Sequence, residues 1–132
     1  MRDYKEYTIL DAQGATGAGN MIDVSDFRNA VISVATDGGA DANLTVKMCG
    51  SIEDTAPTVT SAQSVTNMYE FIQMIDLEDA SSVDGDTGFA VAGADDYRMY
   101  ELNINALKWL TARVTARSAG EVTVKIRLFN NQ

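Results

Sequence analysis

The chain has 132 residues, one cysteine and no histidine, and its nineteen acidic and ten basic side chains give a net charge of −9. That length fits one domain with a core that needs no disulfide or metal. The charge works against nucleic acid and anionic membrane as partners, and the missing imidazole removes the usual neutral-pH base, metal ligand and pH switch. With Cys49 alone, no internal disulfide and no thiolate zinc site can form within one chain, which suits assembly in a reducing cytoplasm. Between Met48 and Gly50 it reads as a small half-buried core residue. Neither a signal-peptide core nor a membrane-length apolar run is expected.

Taken in order, Tyr4 to Leu10 reads as a strand, followed by the Gly/Ala-rich stretch DAQGATGAGN, Asp11 to Asn20. Two readings stay open for residues 1–20: a strand and long loop joined to their own sheet, or a detachable arm placing Tyr4, Tyr7 and Ile9 on a neighbouring subunit. Residues 21–132 then form the main domain. The glycines do not make a phosphate loop, because no Lys-Ser/Thr and no helix follow. Met21 to Val24 is short and apolar, and Ser25-Asp26 is a turn. Asn29 to Thr36 and Asn43 to Gly50 predict a hairpin around Asp37–Asp41, pairing Val34 with Leu44 and Ile32 with Val46. Glu53 to Ser64, with the single proline Pro57, is a connection between sheets.

Tyr69 to Leu77 is apolar on both sides, with Tyr69, Phe71, Ile75 and Leu77 on one and Ile72 and Met74 on the other. Periodicity does not separate a strand from a helical turn there, and the β-branched and aromatic content favours strand. Asp76 to Asp96 holds seven carboxylates and no basic residue, with Phe89 to Ala92 as a short apolar interval. Tyr97 to Ile104 is a strand with Tyr100, Leu102 and Ile104 inward. Lys108 to Arg117 and Glu121 to Phe129 alternate in period two around Ser118-Ala119-Gly120, which predicts a second hairpin with Gly120 at positive φ. That register sets Val114 against Val124, Leu110 against Leu128 and Trp109 against Phe129. About eight antiparallel strands without a long helix predict an all-β sandwich of jelly-roll type.

Asp84-Gly85-Asp86-Thr87-Gly88 resembles half of a calcium loop, but the further ligands of an EF-hand are missing, and a solvated Asp-Gly turn is the simpler reading. Asp84 and Asp86 are therefore weak metal candidates, and no cofactor is expected. Most carboxylates sit in loops, and no serine elbow or Cys/His pair exists, so an enzyme is not expected. The outer face of the last hairpin would carry Arg113, Arg117, Lys125 and Arg127 beside Trp109 and Phe129. Half of all lysines and arginines lie between Lys108 and Arg127. A basic strip bordered by aromatics on an acidic protein is either an ordinary solvated face or an interface. Arg113 opposite Lys125 would call for an anionic neighbour, from the chain's own acidic loop or another subunit.

The blocks MIDVSDFRNAVISVAT (Met21 to Thr36), TAPTVTSAQSVTN (Thr55 to Asn67) and WLTARVTARSAGEVTV (Trp109 to Val124) resemble small virion structural proteins of tailed bacteriophages, and among these head decoration, or cement, proteins. The resemblance implies a β-sandwich that forms homo-oligomers, dimers or trimers, and binds the outside of the major capsid protein shell. It implies manufacture in the host cytoplasm and residence on the virion exterior. It carries no catalytic residue, and neither nucleic acid nor membrane is implied as a partner. The alternatives are a tail or head-fibre component and a calcium-dependent carbohydrate-binding sandwich.

Overall fold

The computed structural model describes residues 4–60, 63–93 and 95–130. Twelve strands follow one another: β1 (Tyr4–Gln13), β2 (Gly17–Ala18), β3 (Ile22–Asp23), β4 (Asn29–Asp37), β5 (Asn43–Ser51), β6 (Glu70–Phe71), β7 (Met74–Asp76), β8 (Ser82–Val83), β9 (Phe89–Ala92), β10 (Tyr97–Asn103), β11 (Trp109–Ala119) and β12 (Glu121–Phe129). One 3-10 turn, Gly39–Asp41, lies between β4 and β5. The strands form two antiparallel sheets, as the alternation predicts. The first has the order β1-β12-β4-β10-β7-β8; the second runs β2-β11-β5-β6, with β3 also on β11 and β9 also on β5. The described residues form twelve strands rather than about eight because five of these span only two or three residues. Such pairings are too short to show periodicity in a sequence.

Between the sheets lies one core. Ala30, Ile32 and Val34 of β4 and Val122, Val124, Ile126 and Leu128 of β12 meet Leu44, Val46 and Met48 of β5 and Leu110, Ala112 and Val114 of β11. Tyr100, Leu102 and Ile104 are buried as the pattern of β10 requires.

Both expected hairpins are replaced by crossings. β4 pairs with β12 in the first sheet while β5 pairs with β11 in the second, so neither β4–β5 nor β11–β12 is a hydrogen-bonded pair. Val124 lies beside Val34 and Val114 beside Val46; Leu110 and Leu128 belong to different sheets. The alternation specifies only which face is buried. A hairpin and a crossing between facing sheets bury the same residues. The two crossings stack, since a Cβ placed on Gly38 would come 2.9 Å from the Gly120 Cα. Gly120 has φ 92, and a side chain there would press on Asp37 O and Ala42 at 3.1 Å.

The N-terminal strand is built into its own sandwich, antiparallel to β12 from Tyr4↔Phe129 to Gln13↔Val122. Register shifts after Thr8 and Leu10 turn Ile9 and Leu10 both inward, at 2% and 1% exposure. Asn20 N donates to Ile9 O at 2.9 Å and Gly19 N to Ala112 O at 2.9 Å, which carries the chain over to the second sheet. A Cβ on Gly19 would lie 2.0 Å from Ile9 O, so the approach requires glycine.

Tyr69 to Leu77 is neither one strand nor a helix. β6 belongs to the second sheet, on β5, and β7 to the first, on β10. The inward phase therefore changes at the crossing: Tyr69 and Met74 are buried, whereas Leu77 is 45% exposed.

Leu10→Ala is expected to cost about 2–5 kcal/mol in urea-unfolding free energy. Deletion of residues 1–20 is expected to abolish the cooperative transition altogether, because it removes a paired strand and two core side chains. A truncated chain that melts like the full one would contradict this placement.

Candidate interaction surface

The outer face of the first sheet is built from the residues that alternation leaves outside. Register aligns them in rows: Thr8, Lys125, Ser33 and Met99; then Glu6, Arg127, Val31 and Glu101; with Thr123, Ala35 and Tyr97 on one side and Tyr4, Phe129, Asn29 and Asn103 on the other. Short side chains on β4 lie between long ones on β12 and β10, which leaves a groove of about 800 Å³ bordered by Glu6, Lys125, Arg127, Val31, Tyr97 and Met99. Tyr97 is 60% exposed and Met99 43%. Arg127 Nε donates to Glu6 Oε1 at 2.8 Å, and its guanidinium lies 4.5 Å from the centre of the Tyr4 ring. Glu6 holds Arg127 firmly protonated, its pKa above the ordinary value.

The outer face of the second sheet is covered. Segment 52–60 crosses it, with Trp109 Nε1 donating to Glu53 O at 2.9 Å and Arg113 Nη1 to Val59 O at 3.5 Å. The Tyr69 hydroxyl donates to Thr60 O at 2.9 Å. On this face Cys49 is 1% exposed, more deeply buried than its half-buried expectation, and burial pushes its thiol from 9.0 to about 12. Arg113 Nε is buried without a hydrogen-bond partner among the described residues. The cross-strand neighbour of Arg113 is Lys47, not Lys125. The anion that this like-charge pair needs comes from the acidic loop: Asp86 lies 3.1 Å from Lys47 Nζ.

That loop is organised by cations outside its own span. Asp86 N donates to Asp84 Oδ1, and Thr87 N and Gly88 N both donate to Asp84 O, which closes a tight turn. A Cβ at Gly85 would meet Phe71 O at 2.5 Å, so the turn packs directly on the sheet. Among the described residues no three His, Cys, Asp or Glu side chains come together to hold a metal ion. Arg98 reaches Glu78 at 3.0 Å, Asp96 at 3.3 Å and Asp76 at 3.6 Å. Asp76 is also one of the charges facing Tyr100, whose hydroxyl is raised to about 12, chiefly by burial.

The sequence-predicted interface residues thus divide into separate places. Lys125, Arg127, Phe129 and Tyr7 border the groove, and Tyr4 stands beside it. Trp109 and Arg113 lie on the opposite side of the molecule beneath segment 52–60. Arg117 is at the crossing, donating to Gly120 O at 2.8 Å. Ile9 is core and has no surface to offer. Tyr97 and Met99 join the face from outside the expected interface set; their alternation against inward Tyr100 and Leu102 is the signal that marks them as outward.

Arg98→Met is expected to leave the chemical-denaturation midpoint nearly unchanged while speeding amide exchange around Asp76, Glu78 and Asp96, since it frees three carboxylates from one cation. The folded Cys49 pKa lies above its unfolded value, so its contribution to stability is complete below pH 9 and declines toward pH 12. Urea titrations at pH 8, 9.5 and 11 should therefore show falling stability, with a shallower fall in Cys49→Ala. An unchanged slope in that variant would place the alkaline sensitivity elsewhere.

The sequence matches no protein-family model and no curated protein. Among solved structures, the SPBc2 prophage-derived protein YomS superimposes with a TM-score of 0.68 at 12% identity, covering 97% of this chain and 94% of that one. The PBSX exported protein XepA gives 0.70 at 14% identity, covering 96% of this chain but only 38% of its own. At these identities the likeness establishes the fold: this chain is an antiparallel β-sandwich of the kind found in YomS and in part of XepA.

Proposed function

We propose that the chain is a structural protein of a tailed-phage particle that works by surface contact rather than by turnover of a substrate. The observation that carries this reading is the end-to-end agreement with YomS, a prophage-derived protein of nearly the same extent. XepA, which carries the same sandwich as part of a longer chain, adds support through its PBSX name. The block resemblance to head decoration proteins supplies the finer reading. In it, copies of this protein assemble with one another and bind the outer surface of the major capsid protein shell, after manufacture in the host cytoplasm.

Such a protein stabilises a shell by binding only its assembled state, which shifts the equilibrium by mass action. A homo-oligomer touching several capsid subunits at once gains effective concentration from contacts that are individually weak.

Purified protein mixed with expanded capsids that lack it should co-sediment to saturation and raise the temperature at which those shells disrupt. Protein left in the supernatant with capsids but pelleting with isolated tails would move the role to the tail. Pelleting with neither would overturn the virion reading.

A further inference from the structure

We propose that the groove along β4 on the outer face of the first sheet receives an extended segment of another protein whose side chains alternate between acidic and apolar. This rests on the reading that the protein acts by surface contact, and it names the chemistry of one partner segment.

The groove has two walls of different chemistry and the same spacing. Lys125 and Arg127 stand two residues apart on β12, and Tyr97 and Met99 two apart on β10, with Val31 and Ser33 as the floor. Positions two apart on a strand repeat every ~6.4–6.8 Å, and an extended ligand places every second side chain on one side with that same repeat. A segment lying along β4 would turn one set of side chains to the β12 wall, where Lys125 is the unpaired cation, and the other to Tyr97 and Met99. Glu101 lies beyond Met99, across Val31 from Arg127.

Charge distinguishes the two sets. Arg127 is already neutralised by Glu6, whereas Lys125 is exposed and has no carboxylate within ion-pair distance among the described residues. A protein of net charge −9 repels an acidic segment over most of its surface. Contact is favourable only where an unpaired cation meets the acid and an apolar wall gains buried area from the neighbouring side chain.

Other occupants fit less well. For a sugar ring, one face of Tyr4 is covered by Arg127. For a second copy of the same face, groove would lie over groove, leaving the space between them unfilled.

The test uses the full chain and fluorescein-labelled ten-residue peptides alternating Glu-Val, Lys-Val or Glu-Ser, with binding followed by anisotropy. The Glu-Val peptide should saturate, and the other two should bind at least tenfold more weakly. Lys125→Glu should weaken Glu-Val at least tenfold and improve Lys-Val, and Tyr97→Ser should weaken Glu-Val without altering the melting temperature. Failure of Glu-Val to saturate, or equal affinity in wild type and both variants, overturns the proposal. Self-association in sedimentation velocity that Lys125→Glu abolishes gives the face to a second copy and also overturns it. So does saturable binding of an oligosaccharide array that competes at the groove in place of peptide. Capsid pelleting separates this from the broader reading. Shells that retain wild type and Lys125→Glu equally remove the groove from the shell contact while leaving the virion role intact. Shells that retain neither remove that role whatever the peptides do.

Discussion

The sandwich depends on each long strand burying one apolar face between two sheets. That burial is arranged by two stacked crossings, not by hairpins. β4 to β5 and β11 to β12 each pass from one sheet to the other at the same end of the molecule, and the pairings β4·β12 and β5·β11 join the crossings side by side. The close approach at Gly38 and Gly120 makes the stack possible. A Cβ at Gly120 would meet both strain at φ 92 and the backbone of the neighbouring turn.

This arrangement makes the two outer faces unequal. The second sheet is crossed by segment 52–60, which holds Trp109 and Arg113, and Cys49 and Thr111 on the same face are buried. Among the described residues no such segment crosses β12, β4 and β10 of the first sheet, and its outward residues line a groove. The acidic excess is partly absorbed by fixed cations: Arg98 gathers three carboxylates and Lys47 takes Asp86. Exposed ion pairs contribute little individually, so the weight of these pairs is in holding loop positions rather than in total stability.

Coverage and pairing also explain why adding up basic residues along the chain is a poor guide to a surface. Arg113 and Lys125 are twelve positions apart in sequence and lie on opposite sides of the sandwich. Their neighbours are decided by strands from elsewhere: Lys47 beside Arg113, Thr8 and Ser33 beside Lys125. Only the second of these positions looks onto an open face.

The sequence by itself determined the class of fold, the approximate extents and inward faces of β4, β5, β10, β11 and β12, the positive φ of Gly120 and the turn chemistry of Asp84 to Gly88. All of these are local, because a period of two and a glycine requirement are properties of short stretches. Tertiary structure alone decided which strand lies beside which, since a crossing and a hairpin demand the same alternation. It therefore also decided that Ile9 is core, that Trp109 and Arg113 are covered, and that Lys125 shares a groove with Tyr97 and Met99. Each of those outcomes depends on partners far away in the chain, and no local pattern encodes them.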